Sequence, residues 1–158
     1  MQRRIRLTQN LLVGTDQPSE ADLQGFAAEG IKSVVDLRQP GEPNQTLPPE
    51  AESAAARRLG LNYRHISVPV DRLDEETLDH IHSELARLPE PIYIHCASGR
   101  RSGMAALIHR AIDEGLTGDA MMAGAERLGF AYGSPELKDF MKRYVDKRQS
   151  PVRSVPAH

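Results

Sequence analysis

The run Pro91-Ile92-Tyr93-Ile94-His95-Cys96-Ala97-Ser98-Gly99-Arg100-Arg101-Ser102-Gly103 decides how this chain folds. Ile92 to His95 reads as a short buried strand. It breaks into residues too small to shield their own backbone, and a helix is expected from Ser102 to Glu114. A strand–loop–helix junction of this kind gathers several N–H groups and the positive end of a helix dipole at one point. Cys96, the only cysteine of the chain, stands at that point. Such a field lowers a thiol pKa and holds an anion against the sulfur. A lone cysteine is ordinarily a small buried hydrophobe, but that role needs neither Gly99 nor Arg100, Arg101 and Ser102. Arg101 can present a planar fork of donors to a tetrahedral anion, and Ser102 can hydrogen-bond a thiolate. Cys96 is therefore expected to be a nucleophile. The backbone of Ala97, Ser98, Gly99, Arg100 and Ser102 is expected to line the anion site, and His95 to orient the loop through a backbone hydrogen bond.

Outward from this motif the chain alternates strands with helices. Residues 4–14 read as one or two short strands ending at Gly14. Gln17 to Gly30 opens on a Ser cap with an acidic first turn and closes on glycine, the signature of a helix. Ile31 to Leu37 is a buried strand, and Arg38 to Pro48, with three prolines, is a loop. Pro49 to Leu59 is a helix, Leu61 to Val70 alternates like a strand, and Asp74 to Leu88 carries Leu78, Ile81 and Leu85 on one helical stripe. Two further helices are expected, Thr117 to Leu128 and Ser134 to Arg148. Met121 and Met122 are core filler in the first of them. This order predicts an α/β fold with a central, mostly parallel sheet flanked by helices, its chemistry gathered at the carboxyl ends of the strands.

The chain has 158 residues and a formal net charge of −2. That length suits one domain, read as 1–148, with a disordered tail at 149–158. The charge gives no electrostatic case for nucleic acid. A single cysteine excludes an internal disulfide and a thiolate zinc site, and a free thiol suits a reducing compartment, so a cytoplasmic location is expected. No run approaches a signal peptide or a membrane span. No cofactor is called for, and the oligomeric state is open.

In one reading the Cys96 thiolate attacks a phosphate ester, Arg101 and the loop N–H groups hold the non-bridging oxygens, and a carboxylic acid protonates the leaving group. Asp71 and Asp74, just past the preceding strand, are the candidate acids. Asp74 sits where a helix N-cap belongs, whereas Asp71 caps nothing obvious. The substrate would be a phosphorylated small molecule or a phosphoprotein. The six histidines give no metal spacing, since His80 and His82 lie two apart on a helix. Asp36 and Arg38 are expected to form a structural ion pair, with a part in shaping the pocket rim as the alternative.

With these residues in hand, the chain resembles the cysteine-dependent phosphatase superfamily, and most closely the phosphatase-like domain of beta-lactamase hydrolase-like proteins. The likeness runs from about Leu12 to about Leu116. It is carried by Gly14-Thr15-Asp16-Gln17-Pro18-Ser19, Gly30 to Arg38, Tyr63 to Pro69 and the Cys96 loop. It implies a dual-specificity-phosphatase-like fold and a phospho-cysteine intermediate. One departure stands out: that superfamily places five residues between Cys and Arg, and here Ala97 to Arg100 are four. The shorter loop is similar to that of rhodanese sulfurtransferases, so a persulfide carrier remains an alternative, as does a non-catalytic phosphate-binding module.

Overall fold

A computed structural model describes residues 4–71 and 73–149. Its five strands are β1 (Arg4–Thr8), β2 (Leu11–Gly14), β3 (Ser33–Asp36), β4 (Asn62–His65) and β5 (Ile92–His95). They form one sheet in the order β1-β2-β5-β3-β4. All neighbouring pairs are parallel except β1 with β2, an antiparallel edge. The α/β, mostly parallel architecture expected from the alternation is therefore the one observed. β3 and β5 are buried at every residue, as strands covered on both faces must be, which explains their unbroken apolar runs.

Among the described residues there are six helices: α1 (Glu20–Glu29), α2 (Pro49–Arg58), α3 (Glu75–Arg87), α4 (Arg100–Glu114), α5 (Gly118–Arg127) and α6 (Pro135–Arg148). Their ends follow local chemistry. Ser19 and Asp22 form a capping box at the start of α1, and Gly30 closes it in the left-handed region at φ 95°. Asp74 caps α3, Thr117 caps α5 and Ser134 caps α6, each accepting from an amide of the first turn.

Two boundaries differ from the sequence reading. The strand expected over Leu61 to Val70 is regular only from Asn62 to His65. Beyond it Ile66 and Val68 still donate to Asp36 and Leu37, but Pro69 has no N–H to continue a ladder. The helix expected from Ser102 begins at Arg100, because Gly99 turns at φ 97° directly before it. The tail from residue 150 onward lies outside the described residues.

Contacts divide the chain into two compact units, one through Ala106 and one from Leu107. In the first, Leu12, Leu23, Phe26, Ile31, Val34, Ala55, Ala56, Leu61, Tyr63 and Tyr93 make a continuous apolar core. In the second, α5 packs on α6 and buries Met121, Met141, Tyr144 and Val145. No helix of the described residues is long and apolar enough to cross a membrane.

Candidate active site

β5 is the middle strand of the sheet, and Cys96 follows its last residue. The 96–99 loop then delivers the chain into α4, with Ser102 in the helix's first turn. Gly99 makes this possible in two ways. Its positive φ is one that side chains rarely adopt, and a Cβ built there would lie 2.9 Å from Thr15 Cα. The loop thus lies against the segment after β2.

Three groups of the loop and helix converge on the sulfur. Gly99 donates its N–H to Cys96 Sγ at 3.2 Å, Ser102 N lies at 3.5 Å, and the Ser102 hydroxyl at 3.4 Å. Burial pushes the thiol pKa up. The Ser102 hydroxyl and amide, the Ser98 amide and the Arg101 charge pull it down and prevail, so Cys96 titrates below an ordinary thiol. The Ser102 hydroxyl also lies 3.3 Å from the Gly14 carbonyl. It has one proton. Donated to Gly14, it leaves only lone pairs for the sulfur and favours the thiol; turned to Cys96, it favours the thiolate.

Arg101 is buried and held from three directions. Its Nη1 donates to Glu42 Oε2 at 2.6 Å and Val68 O at 2.8 Å, with Leu37 O at 3.3 Å, while Nη2 donates to Glu42 Oε1 at 2.9 Å. A guanidinium has five N–H donors. The bonds to Glu42, Val68 and Leu37 occupy Nη1 and one N–H of Nη2, and the guanidinium charge also acts on Cys96, lowering its pKa. Burial works against the charge on Arg101, but the bond to Glu42 raises its pKa. Glu42 itself, though penalised by burial, is held below the usual carboxylate range by Arg101.

Behind the loop lies a second polar cluster. Asp36, Arg38, Glu52 and His95 are all fully buried. Arg38 binds Asp36 through Nε at 2.9 Å and Nη2 at 2.8 Å, and Glu52 through Nη2 at 2.8 Å. The expected Asp36–Arg38 pair is thus present, as part of a larger network. Tyr63 donates to Asp36 at 2.7 Å, and Arg38 Nη1 reaches Gln17 Oε1 at 2.6 Å. His95 joins Glu52 through Nε2 at 2.6 Å and the Cys96 carbonyl through Nδ1 at 3.2 Å. Donor atoms of Asp36, Glu52 and His95 lie within 4.8 Å of one another, the spacing of a metal site. Arg38 already supplies the positive charge between the two carboxylates.

The structure thus brings Cys96, Gly99, Arg101, Ser102 and His95 together. Ala97 is half-buried, and Ser98 and Arg100 are exposed on the loop's outer side. Asp74 accepts from Thr77 N at 2.9 Å as the α3 cap. Asp71 lies in an exposed turn, three residues past Val68, whose carbonyl Arg101 grips. Glu42, Glu52 and Tyr63 were not among the expected site residues. Glu42 sits in the proline-rich loop after β3, where no periodicity points to a role, and Glu52 reads as one of two acids, with Glu50, in the first turn of a helix.

The family described as "Beta-lactamase hydrolase-like protein, phosphatase-like domain" matches residues 4–113. The chain belongs to this family. A beta-lactamase hydrolase-like protein of Xylella fastidiosa is 34% identical over 117 residues, covering 74% of this chain and 26% of that protein. The chain therefore spans about a quarter of the length of the curated relatives it matches. Among solved structures, Tk-PTP in its active form superposes with a TM-score of 0.71 at 20% identity, covering 92% of this chain and 97% of that one. TpbA of P. aeruginosa superposes with a TM-score of 0.64 at 18% identity, covering 96% and 86%. These likenesses define the fold as that of cysteine-based phosphatases.

Proposed function

We propose that the chain hydrolyses a phosphate monoester through a phospho-cysteine on Cys96, in the manner of protein-tyrosine and dual-specificity phosphatases. The observation that carries this reading is the convergence of the Gly99 N–H and the Ser102 amide and hydroxyl on the buried Cys96 sulfur, whose pKa is lowered, with Arg101, in the turn of chain that follows, held by Glu42. Sγ attacks phosphorus, and the ester oxygen leaves with a proton from an acid. The equatorial oxygens are met by the loop N–H groups and by the N–H groups of Arg101 that Glu42, Val68 and Leu37 leave over. Water then cleaves the S–P bond, releasing inorganic phosphate and restoring the thiolate.

Asp71 is the acid we assign. Its turn is tied to the site through Val68, it is free of any capping task, and its exposure lets it approach from the solvent side. Asp74, spent on the α3 cap, is the weaker candidate. The substrate is a phosphoprotein or a phosphorylated small molecule; TpbA has been solved in complex with pTyr, which favours phosphotyrosine as the first probe. An activated, unpaired thiol suits a reducing compartment such as the cytoplasm.

The four-residue spacing between Cys96 and Arg101 supports a second reading, a sulfurtransferase that carries a persulfide on Cys96. A side-by-side assay separates the two. Hydrolysis of an aryl phosphate without sulfur transfer from thiosulfate to cyanide is expected, and the reverse pattern would replace the phosphatase reading with the sulfurtransferase.

A further inference from the structure

The hydrogen bonds of the buried cluster behind the Cys96 loop bear on the protonation of His95. Nδ1 of His95 faces the Cys96 carbonyl, which can only accept, so Nδ1 carries a proton. Nε2 faces Glu52 Oε2 at 2.6 Å, and the other oxygen of Glu52 is engaged by the Arg38 cation. An imidazolium serves both contacts at once, Nδ1–H donating to the Cys96 carbonyl and Nε2–H to Glu52. The groups around the imidazole are Asp36 of β3 at 3.9 Å, Arg38 just after it, Glu52 of α2, Tyr63 of β4 through Asp36, and the Tyr93 ring of β5 at 5.8 Å. Two carboxylates and one guanidinium leave one negative charge, and an imidazolium at His95 neutralises it. Burial alone would favour neutral imidazole, but Glu52 and Asp36 raise the His95 pKa.

We propose that Glu52 is a positioning residue for the nucleophile: it holds His95 as a doubly protonated imidazolium whose Nδ1–H anchors the Cys96 carbonyl. In a planar trans peptide the C=O and the next N–H point in opposite directions. Anchoring the Cys96 carbonyl toward His95 therefore turns the Ala97 N–H away from it, toward the anion side of the loop. The same proton leaves a positive charge one residue behind the sulfur. This inference rests on Cys96 being the nucleophile.

The test is the pH profile of Cys96 alkylation by iodoacetamide in the full chain, compared with Glu52→Gln. The amide cannot balance a second cation beside Arg38, so His95 loses its charge. The midpoint of the profile should rise by about one unit, and alkylation at pH 6 should slow by about tenfold. Glu52→Asp, which keeps the charge, should recover part of the shift. An unchanged midpoint in a Glu52→Gln protein that still folds by circular dichroism overturns the inference and leaves the phosphatase reading intact. A wild-type profile like that of an ordinary thiol sinks the nucleophile itself and the inference with it. Should Glu52→Gln fail to fold, imidazole nitrogen resonances of the wild-type protein decide. Both ring nitrogens of His95 still protonated just above the ordinary imidazole midpoint of about 6.5 is the expected result, and a single neutral tautomer there overturns it.

Discussion

Glu42 grips Arg101 at two points, Oε2 on Nη1 at 2.6 Å and Oε1 on Nη2 at 2.9 Å, with the side chains only 8% and 6% exposed. The pair fixes the plane of the guanidinium and leaves its Nε–H outside the Glu42 contact. A carboxylate there also repels an incoming dianion, so the pair serves orientation at the expense of binding. Glu42→Gln should therefore lower kcat by about tenfold while KM on an aryl phosphate stays level or falls. An unaltered kcat would mean that the Leu37 and Val68 carbonyls suffice to orient Arg101.

Cys96→Ser should abolish turnover. Asp71→Asn should slow hydrolysis by about 100-fold for an ester with a poor leaving group, and far less for an aryl oxide of low pKa that needs no proton. Rates on two aryl phosphates of different leaving-group pKa check this. A loss of equal size on both would deny Asp71 the role of acid and point to a structural effect.

Gly99→Ala should disable the loop. At φ 97° an alanine is strained, and its Cβ would press on Thr15 Cα at 2.9 Å, at a cost of about 1–3 kcal/mol. Relief of that contact moves the Gly99 N–H away from Cys96 Sγ. Turnover should fall about 100-fold, the scale of one lost oxyanion donor, with a melting temperature lowered by several degrees. A fully active, equally stable variant would contradict the geometry.

Arg101→Lys should be nearly as severe as loss of the residue. The ammonium is a single point of charge and cannot bind Glu42 on one edge while offering two donors on another. Turnover on an aryl phosphate is the measurement, and retention of more than about a tenth of the rate would refute a two-edged role.

Stability should peak across weakly acid pH. Asp36 and Glu42 have folded-state pKa values lowered by Arg38 and Arg101 against the burial penalty. Their contribution is complete above the unfolded carboxylate pKa of about 4 and is lost as pH falls through the lowered values. His95 is shifted the other way. Its contribution is complete below the unfolded value of about 6.5 and is lost as pH rises through the raised one. Cys96, lowered in the folded state, adds stability as pH rises toward the ordinary thiol value, so the measurement is made on Cys96→Ser. Its denaturant midpoints from pH 3 to 9 should fall at both ends, and a curve still climbing above pH 7 would argue against a charged His95.

Much of the molecule was legible because its signals are local. The Ser19 cap and the Gly30 stop, the apolar runs of β3 and β5, and the small residues after Cys96 act on backbone a few residues away. The strand–loop–helix junction and its candidate nucleophile could therefore be read directly. The strand expected through Val70 ends early because its outcome depended on Pro69 and on neighbours in the sheet, not on the apolar alternation alone.

What the sequence by itself determined is the parallel α/β order, the placing of Cys96 at a strand end, and the short spacing to Arg101. Only the tertiary structure decided which distant charges meet there. Glu42 lies 59 residues from Arg101, and Glu52 lies 43 from His95. Nothing in a surface-like acid's local sequence reveals that it is buried. The choice was made when β3 paired with β5 and brought the loop and helix that follow β3 against the Cys96 loop. There, out of water, each charge must find a partner.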